Sequence, residues 1–262
     1  TLPNLGTPTV VTRNTGPNVV EQIVGDIETA DVPTKNTVKG LVIGTSCISI
    51  GSSAFYFCFG LTGSLTIPNS VTTIGEGAFG YCQGFNGSLT IGNSVTSIGS
   101  YAFRNCLGLA GSLTIPNSVT SIGSFAFRLC SGFNGSLTIP DSVTSIGSSA
   151  FSSCTGFNGS LTIGNSVTSI GNGAFGFCSN LTGSLTIPDS VTSIGSNAFY
   201  SCTSLTAAYV NCPASSWIGT NALQNTTFTT IFTGPNATGY TSSFQGRTGL
   251  TISPWTNYPN IP

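Results

Sequence analysis

The chain has 262 residues but only six basic and seven acidic side chains, which make up 5% of the sequence and give a net charge of −1. A soluble domain usually carries about 25% charged residues, so Gly, Ser, Thr and Asn must supply the polarity of this surface. The near-zero charge without a basic run argues against binding to nucleic acid or anionic lipid. Membrane insertion is not expected either, because no apolar run reaches the roughly 18 residues of a spanning helix.

Residues 1–40 differ in composition from the rest of the chain. They hold seven of the charged residues: Arg13, Glu21, Asp26, Glu28, Asp31, Lys35 and Lys39. A helical face is one possibility, lined by Val20, Ile23, Val24 and Ile27 and weakened by Gly25. We expect an N-terminal arm or a short cap. If it is an arm, deletion of residues 1–36 leaves the remaining chain folded and removes attachment to a larger assembly.

A repeat of 24 residues organises residues 41–208. Four residue types recur seven times at this spacing without an insertion, in columns that begin at Leu41, Ile50, Phe55 and Cys58. A degenerate eighth turn follows, in register with the seventh, at Ile218, Gly219, Ala222 and Leu223. Self-similarity at a fixed period of this length is the mark of a repeat architecture.

A single turn of the repeat predicts two short extended segments and a corner. The alternation at Leu113–Ile115 predicts a strand, Pro116–Ser118 turn the chain, and Val119–Ile122 are again extended. The spacing of Phe127, Cys130 and Phe133 predicts one tight helical turn. No turn buries these side chains alone, so the fold class is a β-rich, leucine-rich-repeat-like solenoid of stacked 24-residue turns with terminal caps.

This pattern resembles the BspA-like leucine-rich repeats. The residues that carry the resemblance in one copy are Leu65, Ile67, Pro68, Val71, Ile74, Gly75, Ala78, Phe79, Cys82 and Phe85. Phenylalanine takes the last leucine position, and glycine replaces the proline in three copies. The resemblance implies surface-exposed proteins of bacteria, protists and some viruses that work in adhesion and binding rather than in catalysis.

Residues 209–262 concentrate aromatic side chains and contain both tryptophans of the chain. A solenoid needs such bulk at its end, because a terminal turn otherwise exposes core and unpaired strand edges. We expect the degenerate eighth repeat and a C-terminal cap in this segment.

The nine cysteines are expected to be buried, reduced thiols, since seven of them occupy a periodic apolar column. A disulfide between Cys202 and Cys212 remains an alternative. The sequence has no histidine and no C-x-x-C pair, so no metal site and no cofactor are predicted.

Catalysis is not predicted. Without histidine there is no Ser-His or Cys-His couple. Asp141 and Asp189 occupy equivalent positions two turns apart, in a slot that elsewhere holds asparagine. A role in the turn is therefore favoured over a pair of catalytic carboxylates.

Recognition is expected in the columns that vary from turn to turn, because core columns are dictated by packing. Aromatic residues and arginine are enriched at binding hot spots. The predicted ligand-binding residues are Tyr56, Tyr81, Tyr101, Arg104, Phe125, Arg128 and Tyr200. The alternative is that these rings pack against each other or shield the outside of the coil. Two threonine columns, from Thr66 and from Thr72, resemble those of ice-binding solenoids, although threonine is also an expected exposed strand residue.

Two functions are consistent with these features. The first is a non-catalytic extracellular or cell-surface protein for display or adhesion, with a protein or glycan ligand. The alternative is a structural component of an extracellular assembly, such as a virion decoration or fibre protein, that docks on its scaffold through residues 1–40.

Overall fold

The repeats build a parallel β-solenoid of about nine turns. The computed structural model describes residues 11–16, 19–23 and 40–255. The strands are β1 (Val11–Gly16), β2 (Val19–Ile23), β3 (Gly40–Ile43), β4 (Ser49–Ile50), β5 (Leu65–Thr66), β6 (Thr73–Ile74), β7 (Leu89–Thr90), β8 (Ser97–Ile98), β9 (Ser121–Ile122), β10 (Leu137–Ile139), β11 (Ser145–Ile146), β12 (Leu161–Ile163), β13 (Ser169–Ile170), β14 (Gly183–Ile187), β15 (Ser193–Ile194), β16 (Leu205–Val210), β17 (Thr230–Thr233) and β18 (Thr251–Pro254). A short 3₁₀-helix, η1, spans Ala214–Ser216.

Two sides of the solenoid carry parallel strand ladders. One side is a seven-stranded sheet with the order β15-β13-β11-β9-β8-β6-β4. Each residue in it pairs with the residue 24 positions away, as Ser145 does with Ser121 and Ser169. The other side carries the Leu-Thr-Ile strands in three groups, β5-β7, β10-β12 and β14-β16-β17-β18. The ladders confirm the predicted solenoid with a 24-residue step.

The core consists of the columns that the spacing predicted. Leucine, isoleucine and cysteine of every turn are buried, apart from the partly buried Leu41 at the first turn. The phenylalanine column from Phe55 to Phe199 is a continuous stack, with ring centroids 5.1–5.5 Å apart and interplanar angles of at most 11°. Each ring therefore buries its two faces against the neighbouring turns, which no single turn does alone.

The corner after the second strand is not the helical turn that the spacing predicted. The N–H groups of Arg128 and Cys130 donate to carbonyls three residues earlier, but that of Leu129 donates to Ser152 O in the next turn at 2.9 Å. Phe125 and Leu129 have left-handed backbone with φ of 60° and 65°. Left-handed residues interrupt helical propagation. The corner is thus a run of consecutive β-turns whose alternate N–H groups bond between turns.

The backbone at the N-terminal end forms a β-hairpin on the first turn. Strand β1 pairs antiparallel with β2 and with β3, Val11 lying opposite Ile43 and Asn14 opposite Gly40. The helical face was therefore a wrong expectation for Val20 and Ile23, which lie in β2. The other two residues of that face, Val24 and Ile27, lie outside the described residues. Because β1 pairs with β3, it covers the strand edge of the first turn.

The C-terminal turns are shorter and aromatic. Strands β16, β17 and β18 extend the Leu-Thr-Ile side in parallel. Gly219 keeps the predicted register, since its N–H donates to Ile194 O at 3.2 Å. Ile218 is 72% exposed, and the buried Trp217 packs near Phe199 instead, with the ring centroids 6.3 Å apart. No helix in the described ranges is long and apolar enough to traverse a bilayer.

Candidate binding surfaces

Three neighbouring columns at the β-turn corner place aromatic and arginine side chains on the outside of the first four turns. In the first turn these columns begin at Ser53, Tyr56 and Phe57, and the first and third have left-handed backbone. Moving one turn shifts a side chain by about one strand spacing of 4.8 Å. Residues of successive turns in these columns are therefore close enough for their side chains to touch.

The structure brings six of the seven predicted binding residues together. We call them, with Phe57 and Phe59, the aromatic–arginine patch. Its members are Tyr56, Phe57, Phe59, Tyr81, Tyr101, Arg104, Phe125 and Arg128. Phe57 and Phe59 are 39% and 44% exposed, and the other six are partly buried. Phe59 was missed by the sequence prediction because it lies outside the columns that were compared.

Arg104 lies at the centre of the patch. Its guanidinium carbon is 5.2 Å from the ring centroid of Tyr81, 5.4 Å from that of Tyr101 and 5.8 Å from that of Phe125. Arg128 lies one turn further along, 5.6 Å from the centroid of Phe125. The ring quadrupoles attract these cations, and they hold two like charges side by side on adjacent turns.

Neither guanidinium is neutralised within the part of the chain that the structure describes. Arg104 and Arg128 form no ion pair there, and their buried Nε atoms lack hydrogen-bond partners. A buried N–H without an acceptor is unfavourable by about 1–3 kcal/mol. The patch therefore combines apolar rings with two cations that have no anionic partner in the molecule.

The N-terminal end of the patch depends on a small residue in the next turn. Gly80 occupies the column of Tyr56, and a Cβ atom at this glycine would lie 2.6 Å from Cε2 of the Tyr56 ring. The absent side chain leaves room for Tyr56 to lie over the second turn. There its ring meets Phe57 at 4.4 Å and Tyr81 at 5.5 Å between centroids.

Tyr200, the seventh predicted residue, lies apart from the patch. It is three turns beyond Arg128 in the same column, a separation of about 14 Å by the strand spacing. Its ring packs against Phe177 at 5.2 Å, and its hydroxyl accepts a hydrogen bond of 3.1 Å from Asn225 Nδ2. The hypothesis of one binding surface therefore extends over six of its seven residues.

The cysteine column is an internal hydrogen-bonded ladder. Each thiol from Cys82 to Cys202 lies 3.0–3.1 Å from a phenylalanine carbonyl 27 residues earlier, and all nine cysteines are free thiols. Burial raises the pKa of the Cys178 thiol to about 12, and it also raises the pKa values of Cys106, Cys130, Cys154 and Cys202. Such thiols are inert at neutral pH.

Cys202 and Cys212 do not share a site. The thiol of Cys202 faces Phe175 O at 3.1 Å, whereas that of Cys212 lies 3.7 Å from the hydroxyl of Tyr240. The hydroxyl of Tyr240 also accepts a hydrogen bond from Trp217 Nε1 at 2.8 Å. Cys212 thus belongs to the packing of the C-terminal turns.

Asp141 has the turn role that its position predicted. Its Oδ1 accepts a hydrogen bond from the backbone N–H of Asn165 in the next turn, as Asn69 Oδ1 does from Asn93 at 2.8 Å. No cluster of three or more His, Cys, Asp or Glu side chains in residues 40–255 is arranged to hold a metal ion.

Comparison with known proteins identifies the repeat. The model of the BspA type leucine-rich repeat region matches residues 48–135 and 133–251, in six copies. The chain belongs to the BspA-type leucine-rich repeat family. The match covers most of this repeat protein, including the degenerate turns after residue 208 in which the 24-residue spacing fades.

Solved structures include further leucine-rich repeat proteins. A protein from Bacteroides ovatus is 23% identical, with a TM-score of 0.61 over 96% of this chain and 67% of the other. A T. pallidum protein is 27% identical, with a TM-score of 0.48 over 55% of this chain and 73% of the other. A leucine-rich cell surface protein from Faecalibacterium prausnitzii is 24% identical, with a TM-score of 0.42 over 80% and 64%. The first supports the fold, and a search of curated sequences gave no significant match.

Proposed function

We propose that this BspA-type repeat protein is a non-catalytic binding protein displayed outside the cell, and that its aromatic–arginine patch holds an acidic segment of a protein partner. The observation that carries the proposal is the pair of guanidinium groups, Arg104 and Arg128, on aromatic rings without a carboxylate partner in the described residues. Family membership supports surface display, since repeats of this type are typically found in surface proteins.

The chemistry of the patch favours a protein partner. Tyrosine and arginine are over-represented among the residues that dominate protein interfaces. Charged guanidinium groups bind carboxylates with short, strong hydrogen bonds, and a carboxylate here would also supply an acceptor for the two Nε atoms. The exposed rings of Phe57 and Phe59 extend the surface with apolar area for the residues that flank such an acidic group.

The backbone supports selection for the side chains themselves. Tyr101 and Phe125 have φ of 59° and 60°, whereas the same column holds Gly77 in the second turn and Asn197 in the seventh. Placing a bulky residue in left-handed conformation is unfavourable by about 1–3 kcal/mol. The corner folds with glycine or asparagine, so the two aromatic residues are not needed for the turn.

The test uses a fluorescent 12-residue peptide of alternating glutamate and leucine or tyrosine, with an analogue in which glutamine replaces every glutamate. Fluorescence anisotropy should show binding of the acidic peptide that weakens with added salt, because opposite charges are screened. The double variant Arg104→Gln and Arg128→Gln should lose at least about tenfold in affinity. The matched control is Phe177→Ser with Tyr200→Ser, which alters the same corner three turns away.

Two outcomes would overturn the proposal. One is equal binding by the glutamine variant and the parent protein. The other is retention of heparin but not of the acidic peptide, which would make the patch a site for sulfated glycans. The alternative function, a virion decoration or fibre component docked through residues 1–40, has less support because β1 is paired with the first turn.

A further inference from the structure

A groove runs along the Leu-Thr-Ile side of the solenoid, away from the aromatic–arginine patch. It has a volume of about 1480 Å³ and crosses the four turns from Ser112 to Ser190. Its floor is the outward threonine column of these turns, and its walls are the serines before each strand and the asparagine or aspartate slot after it. The floor residues are Thr114, Thr138, Thr162 and Thr186.

The threonine hydroxyls of the groove are available to a ligand. In the other threonine column every hydroxyl from Thr72 to Thr192 donates to a backbone carbonyl one turn earlier, at 3.0–3.2 Å. The floor hydroxyls make no hydrogen bond within the described residues, and all but the partly buried Thr186 are exposed. The groove therefore offers a row of donor-acceptor groups about 4.8 Å apart.

An aromatic cluster closes the C-terminal end of the groove. Strand pairing places Tyr209 and Phe232 in the same column as Thr186. The two rings stack with centroids 4.7 Å apart, and Trp255 meets Tyr209 edge-on at 4.9 Å and forms part of the groove lining. All three side chains are partly buried, so each keeps exposed ring surface at the end of the threonine row.

The charge of the groove selects against ionic ligands. Its lining contains no lysine or arginine, and its only ionisable groups are the carboxylates of Asp141 and Asp189. Acidic polymers therefore lack a counter-charge. A neutral sugar matches both parts of the groove, because its hydroxyls pair with threonine, serine and carboxylate groups and its C–H face packs on aromatic rings.

We infer that this groove binds a neutral polysaccharide chain, with one sugar packed at Trp255 and Tyr209 and the following sugars hydrogen-bonded along the threonine column. The site is separate from the patch. It also does not depend on the acidic protein partner proposed there.

The inference is tested by affinity electrophoresis in native gels that contain a neutral polysaccharide, namely barley β-glucan, galactomannan or xylan. At least one of them should retard the parent protein, whereas acidic polygalacturonate should not. Trp255→Ala should weaken the retardation by about tenfold, the scale of one lost aromatic packing contact. The double variant Thr138→Val and Thr162→Val should weaken it at least threefold.

Two matched controls separate binding from folding. Thr144→Val with Thr168→Val changes the other threonine column of the same turns and should retain binding. The patch variant Arg104→Gln with Arg128→Gln should also retain it, so a failure of the acidic-partner proposal does not affect this test. The inference is overturned if no neutral polysaccharide retards the protein, if the two threonine pairs have equal effects, or if a neutral Thr/Ser-rich peptide binds while the polysaccharides do not.

Discussion

The buried cysteine column should make this protein sensitive to alkali at a pH where few other groups titrate. Burial raises the pKa values of five column thiols, that of Cys178 to about 12. In the unfolded chain a thiol ionises near pH 8.5. The folded state therefore keeps protons that the unfolded state loses. The free energy of unfolding is unaffected below about pH 8.5 and falls as the pH rises toward 12.

The expected magnitude is large. At pH 9.5 each such thiol lowers the free energy of unfolding by about 1.4 kcal/mol, and five together lower it by about 7 kcal/mol. A whole domain is typically stable by about 5–15 kcal/mol. The composition keeps other groups out of this range, because there is no histidine and the only lysines are Lys35 and Lys39. Tyrosines and lysines ionise mainly above pH 10.

The measurement is urea unfolding between pH 7.5 and 9.5, followed by circular dichroism in the presence of a phosphine reductant. Cys154→Ala removes one of the five thiols and should reduce the loss by about a fifth. Thr155→Ala, at an exposed neighbouring position, is the control and should leave the pH dependence unchanged. A free energy of unfolding that stays constant over this range would refute the reasoning.

Two further predictions concern the stacking of turns. Gly123→Ala places a Cβ atom 2.6 Å from the carbonyl carbon of Gly99, so urea unfolding should show a loss of about 2–4 kcal/mol from overpacking and a strained inter-turn hydrogen bond. Gly135→Ala meets open space at φ of 74° and should lose only about 1–2 kcal/mol, and an equal loss in both would contradict the close-stacking argument. Deletion of residues 1–36 unpairs β1 from β3, so light scattering should show aggregation at concentrations where the full chain is monodisperse.

The sequence predicted the core well because its signal is both periodic and redundant. A phenylalanine that recurs every 24 residues has to meet its own copies, and the stack from Phe55 to Phe199 follows from the spacing alone. The patch was also predictable in part. Outward residues of one column are close neighbours in adjacent turns, which brings Arg104 and Arg128 together and leaves Tyr200 apart.

Two features were not readable from the spacing. The corner was predicted as helical, because consecutive β-turns also place buried residues three apart, and only the signs of φ at Phe125 and Leu129 distinguish them. The aromatic end of the groove was missed because the step shortens there. Tyr209 follows Thr186 after 23 residues, and Phe232 follows Tyr209 after 23 more, so neither lies in the 24-residue register. An alignment that allowed the shorter step would have placed both in the threonine column.

The uniform step has a consequence for how such a gene changes. Each inner turn makes the same hydrogen bonds to the turn before and the turn after it, as the ladders through Ser121, Ser145 and Ser169 show. Unequal crossing-over between repeats therefore adds or removes whole turns without altering any junction. The aromatic–arginine patch lies in the first four turns and the aromatic end of the groove lies beyond the seventh. Every such event would move the two surfaces apart or together by about 4.8 Å, so that copy number sets the length of a molecular ruler between them.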